Sequence, residues 1–151
     1  MDELTFRTAT RADLPAILTL LADDVIGSAR ETEQSDAAYW AAFEAIDADP
    51  RNDLIVVESG GEIVGTCQLT FTPSLSRRGA ERMTIESVRV RGDQRGRGVG
   101  RAMMRWSLDR GRERGCGIAQ LTTDKLRTDA HRFYAGLGFR ATHEGFKISL
   151  S

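Results

Sequence analysis

Three glycines at every second position, Gly96, Gly98 and Gly100, stand between a strand-like run and a helix-like one. Glycines so spaced let successive backbone N–H groups turn toward one point, and the following helix adds the positive end of its dipole. The chemistry this suits is anion binding, of phosphates above all. Arg95, Arg97 and Arg101 add charge around the same turn. Nine arginines and three acids lie between Arg89 and Arg114, although the net charge of the whole chain is −1. Such segregation points to an anionic ligand at one site rather than to general nucleic-acid affinity. Interleaved aromatics that could stack on bases are lacking, so no nucleic-acid partner is expected.

Phosphate-binding turns come in several kinds. A nucleotide P-loop ends in Gly-Lys-Ser/Thr, whereas Gly100 is followed by Arg101 and Ala102. A dinucleotide fingerprint needs GxGxxG and an acid about 20 residues on. Here the run is GxGxG, and Ile118 stands where the acid would be. The readings left are a different phosphate cradle or a glycine-rich turn that binds nothing. Glycine in a helix interior costs of order 1 kcal/mol each, which argues for a purpose. The two cysteines, Cys67 and Cys116, have neither CxxC spacing nor a disulfide-rich context. They read as free thiols in a reducing cytoplasm.

The elements that must position this turn follow from periodicity. Leu4 to Thr8 alternates and predicts a strand. Thr10 is a plausible N-cap, with Asp13 three residues on and Pro15 in the first turn. Leu14, Ile17, Leu18 and Leu21 then mark a helix to about Ala22. Asp23 to Gln34 reads as a polar loop. Ser35 or Asp36 caps a second helix carrying Tyr39, Trp40, Phe43 and Ile46, ended near Asp49-Pro50. Strands over Leu54–Glu58 and Ile63–Phe71 flank a hairpin turn at Gly60-Gly61. A polar loop follows from Thr72 to Ala80. Arg82 to Val90 is another strand, whose in/out phase slips between Ile85 and Val88. An inserted bulge residue would cause that slip, and a strand buried on both faces would also tolerate it.

After the glycines a long helix carries Val99, Ala102, Met103 and Trp106 on one face, with Gly115 as its C-terminal cap. Ile118–Thr123 reads as a strand, and Thr128 or Asp129 starts a last helix through Ala135. Phe139–Thr142 and Gly145–Leu150 close the chain as a pair of strands. The expectation is one domain over residues 1–151, of α/β (α+β) class, with helices on both faces of a sheet. No run of about 18 apolar residues is present, so no membrane span is expected. The acidic start Met1-Asp2-Glu3 argues against a signal peptide.

The run Val88 to Arg101, with Arg95, Gly98 and Gly100 at its key positions, resembles the coenzyme-A motif of the GNAT superfamily of N-acetyltransferases. Ala130-His131-Arg132-Phe133-Tyr134-Ala135-Gly136-Leu137-Gly138-Phe139 resembles the same family's second motif, a helix ending in FYxxLGF. Together, in this order, they extend the resemblance over nearly the whole chain. It implies a central mixed, mostly antiparallel sheet of about seven strands with a splayed gap, flanked by four helices. It also implies acetyl-CoA as co-substrate, no metal, and a possible homodimer.

Residue by residue, the resemblance puts the pantetheine arm along the backbone of Val88, Arg89 and Val90. The pyrophosphate falls on Arg95, Gly96, Arg97, Gly98, Val99, Gly100 and Arg101. A backbone N–H near Val88–Val90 would hold the oxyanion. Glu86 is placed as general base toward the acceptor amine, its other reading being an ion pair with an arginine of the sheet. Tyr134 is placed as the acid that protonates the leaving thiolate. His131 is expected on the surface or against the coenzyme. Asp129 stands where many relatives carry asparagine, which puts one amide contact to the coenzyme in doubt. Cys116 ends a helix turn, so covalent cysteine catalysis is not expected.

The implied reaction is direct acetyl transfer, through a ternary complex, to a primary amine of a small molecule or peptide. The alternative is a non-catalytic acyl-CoA-binding sensor or interaction module. The acceptor pocket is expected from Asp23–Asp36 and Thr142–Gly145. Acids in the first segment suit a cationic amine, or are simply solvated. Tyr39, Trp40 and Phe43 either line a pocket or pack a core.

Overall fold

The computed structural model describes residues 3–23 and 37–151, and these form two compact units, residues 1–120 and 121–151. In the first unit, β1 (Leu4–Thr8), β2 (Asn52–Ser59), β3 (Glu62–Thr72) and β4 (Arg82–Val90) pair antiparallel in chain order. β5 (Ile118–Leu121) then joins β4 at the far side, making five strands in a mixed sheet. The hairpin between β2 and β3 turns at Gly60 and Gly61, with φ of 58° and 79°. Two consecutive positive φ values match the right-handed twist of the flanking strands.

Helices lie on both faces. α1 (Leu14–Ala22) and α2 (Ala37–Ala48) bury Leu14, Ile17, Leu18 and Phe43 with Ala9 and Val56. α4 (Val99–Arg114) covers the other face, where Phe6 stacks on Trp106 at 5.7 Å and the Cys67 thiol meets the Ser107 hydroxyl at 3.7 Å. β2 therefore serves two cores, and Ile55, Val56 and Val57 are all fully buried. The α4 face expected at Val99, Ala102, Met103 and Trp106 is shifted: Val99, Met103, Met104, Ser107 and Gly111 are the buried positions. Ser107 keeps its place because its hydroxyl donates to Met103 O at 2.8 Å, leaving no buried donor unmet. A Cβ on Gly111 would come within 3.0 Å of the Met83 side chain, so the helix approaches the sheet closely there.

The start of α1 is fixed electrostatically. The Arg7 guanidinium donates to both Asp13 oxygens, at 2.7 and 3.0 Å, and to Glu58 at 2.5 Å. Asp13 also accepts from the Thr10 N–H and hydroxyl, as the cap predicted. At the far end of α4, Gly115 takes φ 85°, and its N–H and that of Cys116 donate to Arg112 and Gly111 carbonyls. A short helical turn, α3 (Ser76–Gly79), interrupts the expected 72–80 loop, with Arg77 and Arg78 in left-handed conformations.

In the second unit, α5 (Thr128–Gly136) is formed as expected. The two closing strands are not: residues 139–151 form no strand, so the sheet has five strands rather than about seven. A strand exists only with a hydrogen-bonding neighbour, and this segment has the pattern without one. No helix among the described residues is long and apolar enough to cross a membrane.

Candidate active site

The register of β3 against β4 shifts at one place. Gln68 pairs with Glu86 and Thr66 with Arg89, so Ser87 and Val88 together oppose the single residue Cys67. This is a β-bulge, and it decides between the two readings of the phase slip. Ser87 has φ 54°, unusual for a residue other than glycine. β5 is four residues long against nine in β4. It lies beside the first half of β4, with Gly117 N–H donating to Glu81 O at 2.9 Å and Gln120 reaching Thr84. The half of β4 that holds Glu86, Val88, Arg89 and Val90 thus runs past the end of β5.

Glu86 and Ser87 are exposed. Residues directly opposite across strands share a face, so Glu86 stands on the same side as Gln68. On that side lies a cavity of about 130 Å³, lined by Leu18 and Leu21 of α1, Tyr39 and Phe43 of α2, and Gln68 and Ser87 of the sheet. Tyr39 and Phe43 thereby serve both expectations, lining a cavity while packing the core. Trp40 packs against the core without lining the cavity, and the Arg11 guanidinium lies over its ring at 4.6 Å.

Beyond Val90 the chain enters the glycine turn. Arg91 N–H donates to Val64 O at 2.8 Å, carrying the ladder one residue further. Gly96 and Gly98 have φ of 76° and 85°, and a Cβ on either would meet nothing within 4 Å. Glycine is required there by the sign of φ, not by crowding. Gly98 caps α4, and the first helical bond runs from Ala102 N–H to Gly98 O at 3.0 Å. The N–H groups of Val99, Gly100 and Arg101 accordingly have no partner within the helix. The turn is braced by Arg95, which donates to Val90 O at 3.3 Å and to Asp23 O, at the end of α1, at 3.4 Å. Asp23 is the part of the expected acceptor segment that is described; Asp24 to Asp36 lie outside the described residues.

Seven of the nine arginines divide into two sets. Arg91 is clamped by Asp93 and Glu62, Arg110 by Asp53, Arg112 by Asp109 and Arg114 by Glu81. Arg97, Arg101 and Arg105 are exposed, and among the described residues no acid pairs with them. Motif counting alone treats all nine alike; for Arg110 and Arg114 it is acids distant in sequence, Asp53 and Glu81, that set them apart. Neither thiol is activated. Burial pushes Cys67 up to about 12, and burial next to the Glu81 carboxylate raises Cys116.

The other predicted residues lie on α5. Tyr134 is half-buried, edge-on to Phe133 at 5.2 Å and to Phe139 at 5.9 Å. The chain turns back on it, because Leu137 and Phe139 N–H groups both donate to Tyr134 O at 3.1 Å. His131 is exposed, its Nε2 3.0 Å from Asp124 O. Asp129 is paired with Arg132, one turn on. The loop Thr142–Gly145 is exposed, and Glu144 lies 3.7 Å from Lys125. Sequence reasoning missed Gln68 and Thr66 as cavity residues and Ser87 as the turning point of the bulge.

A mixed sheet with a bulged inner strand running into a glycine turn and a helix defines an acyltransferase fold. The model of the acetyltransferase (GNAT) family matches residues 14–139, and the chain belongs to that family. Over 98% of its length it superposes, with TM-score 0.95 and 47% identity, on the whole of a solved protein from Bacillus halodurans C-125 described as a transcriptional regulator. It is 26% identical to the aminoalkylphosphonate N-acetyltransferase of Salmonella typhimurium, over 99% of this chain and 94% of that one. It is 32% identical to the streptothricin acetyltransferase of Streptomyces lavendulae over 64% of this chain, and that match spans 48% of the relative's length.

Proposed function

We propose that residues 1–151 work as one acetyl-CoA-dependent N-acetyltransferase domain acting on a primary amine of a small molecule or peptide. The observation that carries this reading is the unbroken stretch from Glu86 to Arg101. It holds an exposed carboxylate, a left-handed bulge residue, a half-strand that outruns its neighbour, and a glycine turn opening onto helix N–H groups. The half-strand offers backbone groups to an extended arm such as pantetheine, and the turn with Arg97 and Arg101 offers charge and donors to a pyrophosphate. The cavity behind Ser87 suits an apolar portion of the acceptor, with its amine held at the polar rim near Gln68 and Glu86.

In this mechanism Glu86 takes a proton from the acceptor ammonium, directly or through water. The neutral nitrogen attacks the thioester carbonyl, and a β4 amide near Val88–Val90 stabilises the oxyanion. The C–S bond then breaks, and Tyr134 gives its phenolic proton to the departing thiolate. Asp129, His131 and the main chain of Arg95–Gly100 belong to coenzyme binding rather than to proton transfer. Two free thiols that are not activated fit a reducing, cytoplasmic setting.

Calorimetry with acetyl-CoA and thiol release over a panel of primary amines test the reading. Binding followed by turnover of at least one amine supports it; no measurable binding removes it. The description of the Bacillus halodurans relative favours a second reading, an acyl-CoA-binding sensor or interaction module. Binding without turnover of any amine, together with a salt-sensitive DNA shift or capture of a protein partner, would favour that one.

A further inference from the structure

The cavity on the Gln68 side of the sheet lies wholly within the first unit, and no charged residue is among the described residues that line it. Leucines and Ile17 of α1 wall one side, and Thr66 has its hydroxyl proton committed to Ile55 O at 2.8 Å. Gln68, half-buried, is different, because a chain of contacts fixes which way its amide faces. The Asp49 carboxylate can only accept, and it takes the Asn52 Nδ2–H at 3.0 Å. Asn52 Oδ1 is thereby the acceptor for the Thr70 hydroxyl at 2.8 Å and for Gln68 Nε2 at 3.1 Å. What Gln68 has left to offer a molecule in the cavity is its carbonyl oxygen, a hydrogen-bond acceptor.

We infer that the acceptor is a monoamine whose remaining body is apolar and uncharged, and that Gln68 Oε1 accepts a hydrogen bond from its nitrogen. The inference rests on the acetyltransferase reading given above. A cavity of about 130 Å³ has room for a body of roughly benzene size, since an apolar cavity of about 150 Å³ takes benzene. A second ammonium inside it would lose its hydration with no acid to pair with, and a phosphonate would find no cation. For the reacting nitrogen an amide oxygen is better suited than a carboxylate. It accepts an N–H from the ammonium and from the neutral amine alike. A second carboxylate beside Glu86 would instead favour the charged form, which cannot attack. Glu86, directly opposite Gln68 on β4, is then left to take the proton while Gln68 keeps hold of the nitrogen.

The test is turnover with acetyl-CoA of benzylamine, ethylamine, spermidine and aminomethylphosphonate, beside calorimetry of acetyl-CoA binding. Benzylamine should exceed spermidine and aminomethylphosphonate in kcat/KM by about tenfold or more. Gln68→Leu keeps the bulk and removes the acceptor. It should raise KM for benzylamine about tenfold, with kcat and coenzyme affinity within about threefold. Asn52→Leu leaves the Gln68 amide without its anchor and should raise the same KM while sparing kcat. Ala42 lines the cavity from an exposed position on α2, so Ala42→Phe narrows it and should lower the benzylamine-to-ethylamine ratio of kcat/KM. Should the Gln68 or Asn52 variant not fold, the order of the amines and the Ala42 variant decide. Preference for spermidine or aminomethylphosphonate, or an unchanged KM in folded Gln68→Leu, overturns the inference and leaves the acetyltransferase reading standing. So does acetylation of some other amine but none of these. Failure to bind acetyl-CoA removes both.

Discussion

Ser87 is the residue on which the candidate site turns. A side chain at φ 54° is tolerated only where its surroundings hold it, and the bulge opposite Cys67 does so. Ser87→Gly removes that penalty and is expected to leave stability within about 1 kcal/mol. Ser87→Val puts a β-branched residue in the left-handed region and should cost about 1–2 kcal/mol in denaturant unfolding. The catalytic assignments make a separate prediction. Tyr134→Phe should lower kcat by about 100-fold with little change in coenzyme affinity, and Glu86→Gln should abolish the acid limb of the kcat/KM profile. The two motifs made Tyr134 and the glycines legible because their residue types are demanded at fixed spacing. Ser87 left only a phase slip in the sequence, since nothing in a serine announces a positive φ. Gln68 and Thr66 were not legible at all, because β3 gives no sign of which of its polar residues border a cavity.

At the scale of elements, local signals were the reliable ones. Thr10 with Asp13, the Gly60-Gly61 turn and Gly115 each determine a boundary through their own backbone requirements, and each boundary formed where expected. The Arg7 guanidinium, with help from Thr10, holds the Asp13 carboxyl at about 2, below its ordinary 3.8. The stabilisation is therefore full above about pH 4 and is lost as pH falls toward 2. Asp13 is nearly buried, so its contribution is about 1–2 kcal/mol. Asp13→Asn should flatten the acid side of the Tm-versus-pH curve by that amount. The junction of β4 and β5 is sterically tight: a Cβ on Gly117 would lie 2.7 Å from the Ala80 Cβ. Gly117→Ala should cost about 1–3 kcal/mol and lower Tm, because neither backbone can yield without disturbing the Gly117–Glu81 hydrogen bond. The last two strands were misread for a related reason. Alternation specifies a strand's faces but not its partner, and a strand forms only where a partner is hydrogen-bonded to it.

For the molecule as a whole, charge arrangement matters more than charge total. A net charge of −1 hides a surface on which Arg91, Arg110, Arg112 and Arg114 are neutralised by acids, while Arg97, Arg101 and Arg105 beside the glycine turn are not. The second set is free to project its field into solvent beside the turn. A polyanion diffusing nearby is then drawn toward that turn. The consequence is kinetic. In stopped-flow mixing, the association rate of acetyl-CoA should fall about tenfold as ionic strength rises from low to physiological. Its dissociation rate, set by short-range contacts with backbone donors, should change little. Arg105→Gln, one turn away from the turn's own donors, should reproduce part of that slowing without added salt. The glycines would then decide how long the coenzyme stays, and the free arginines how soon it arrives.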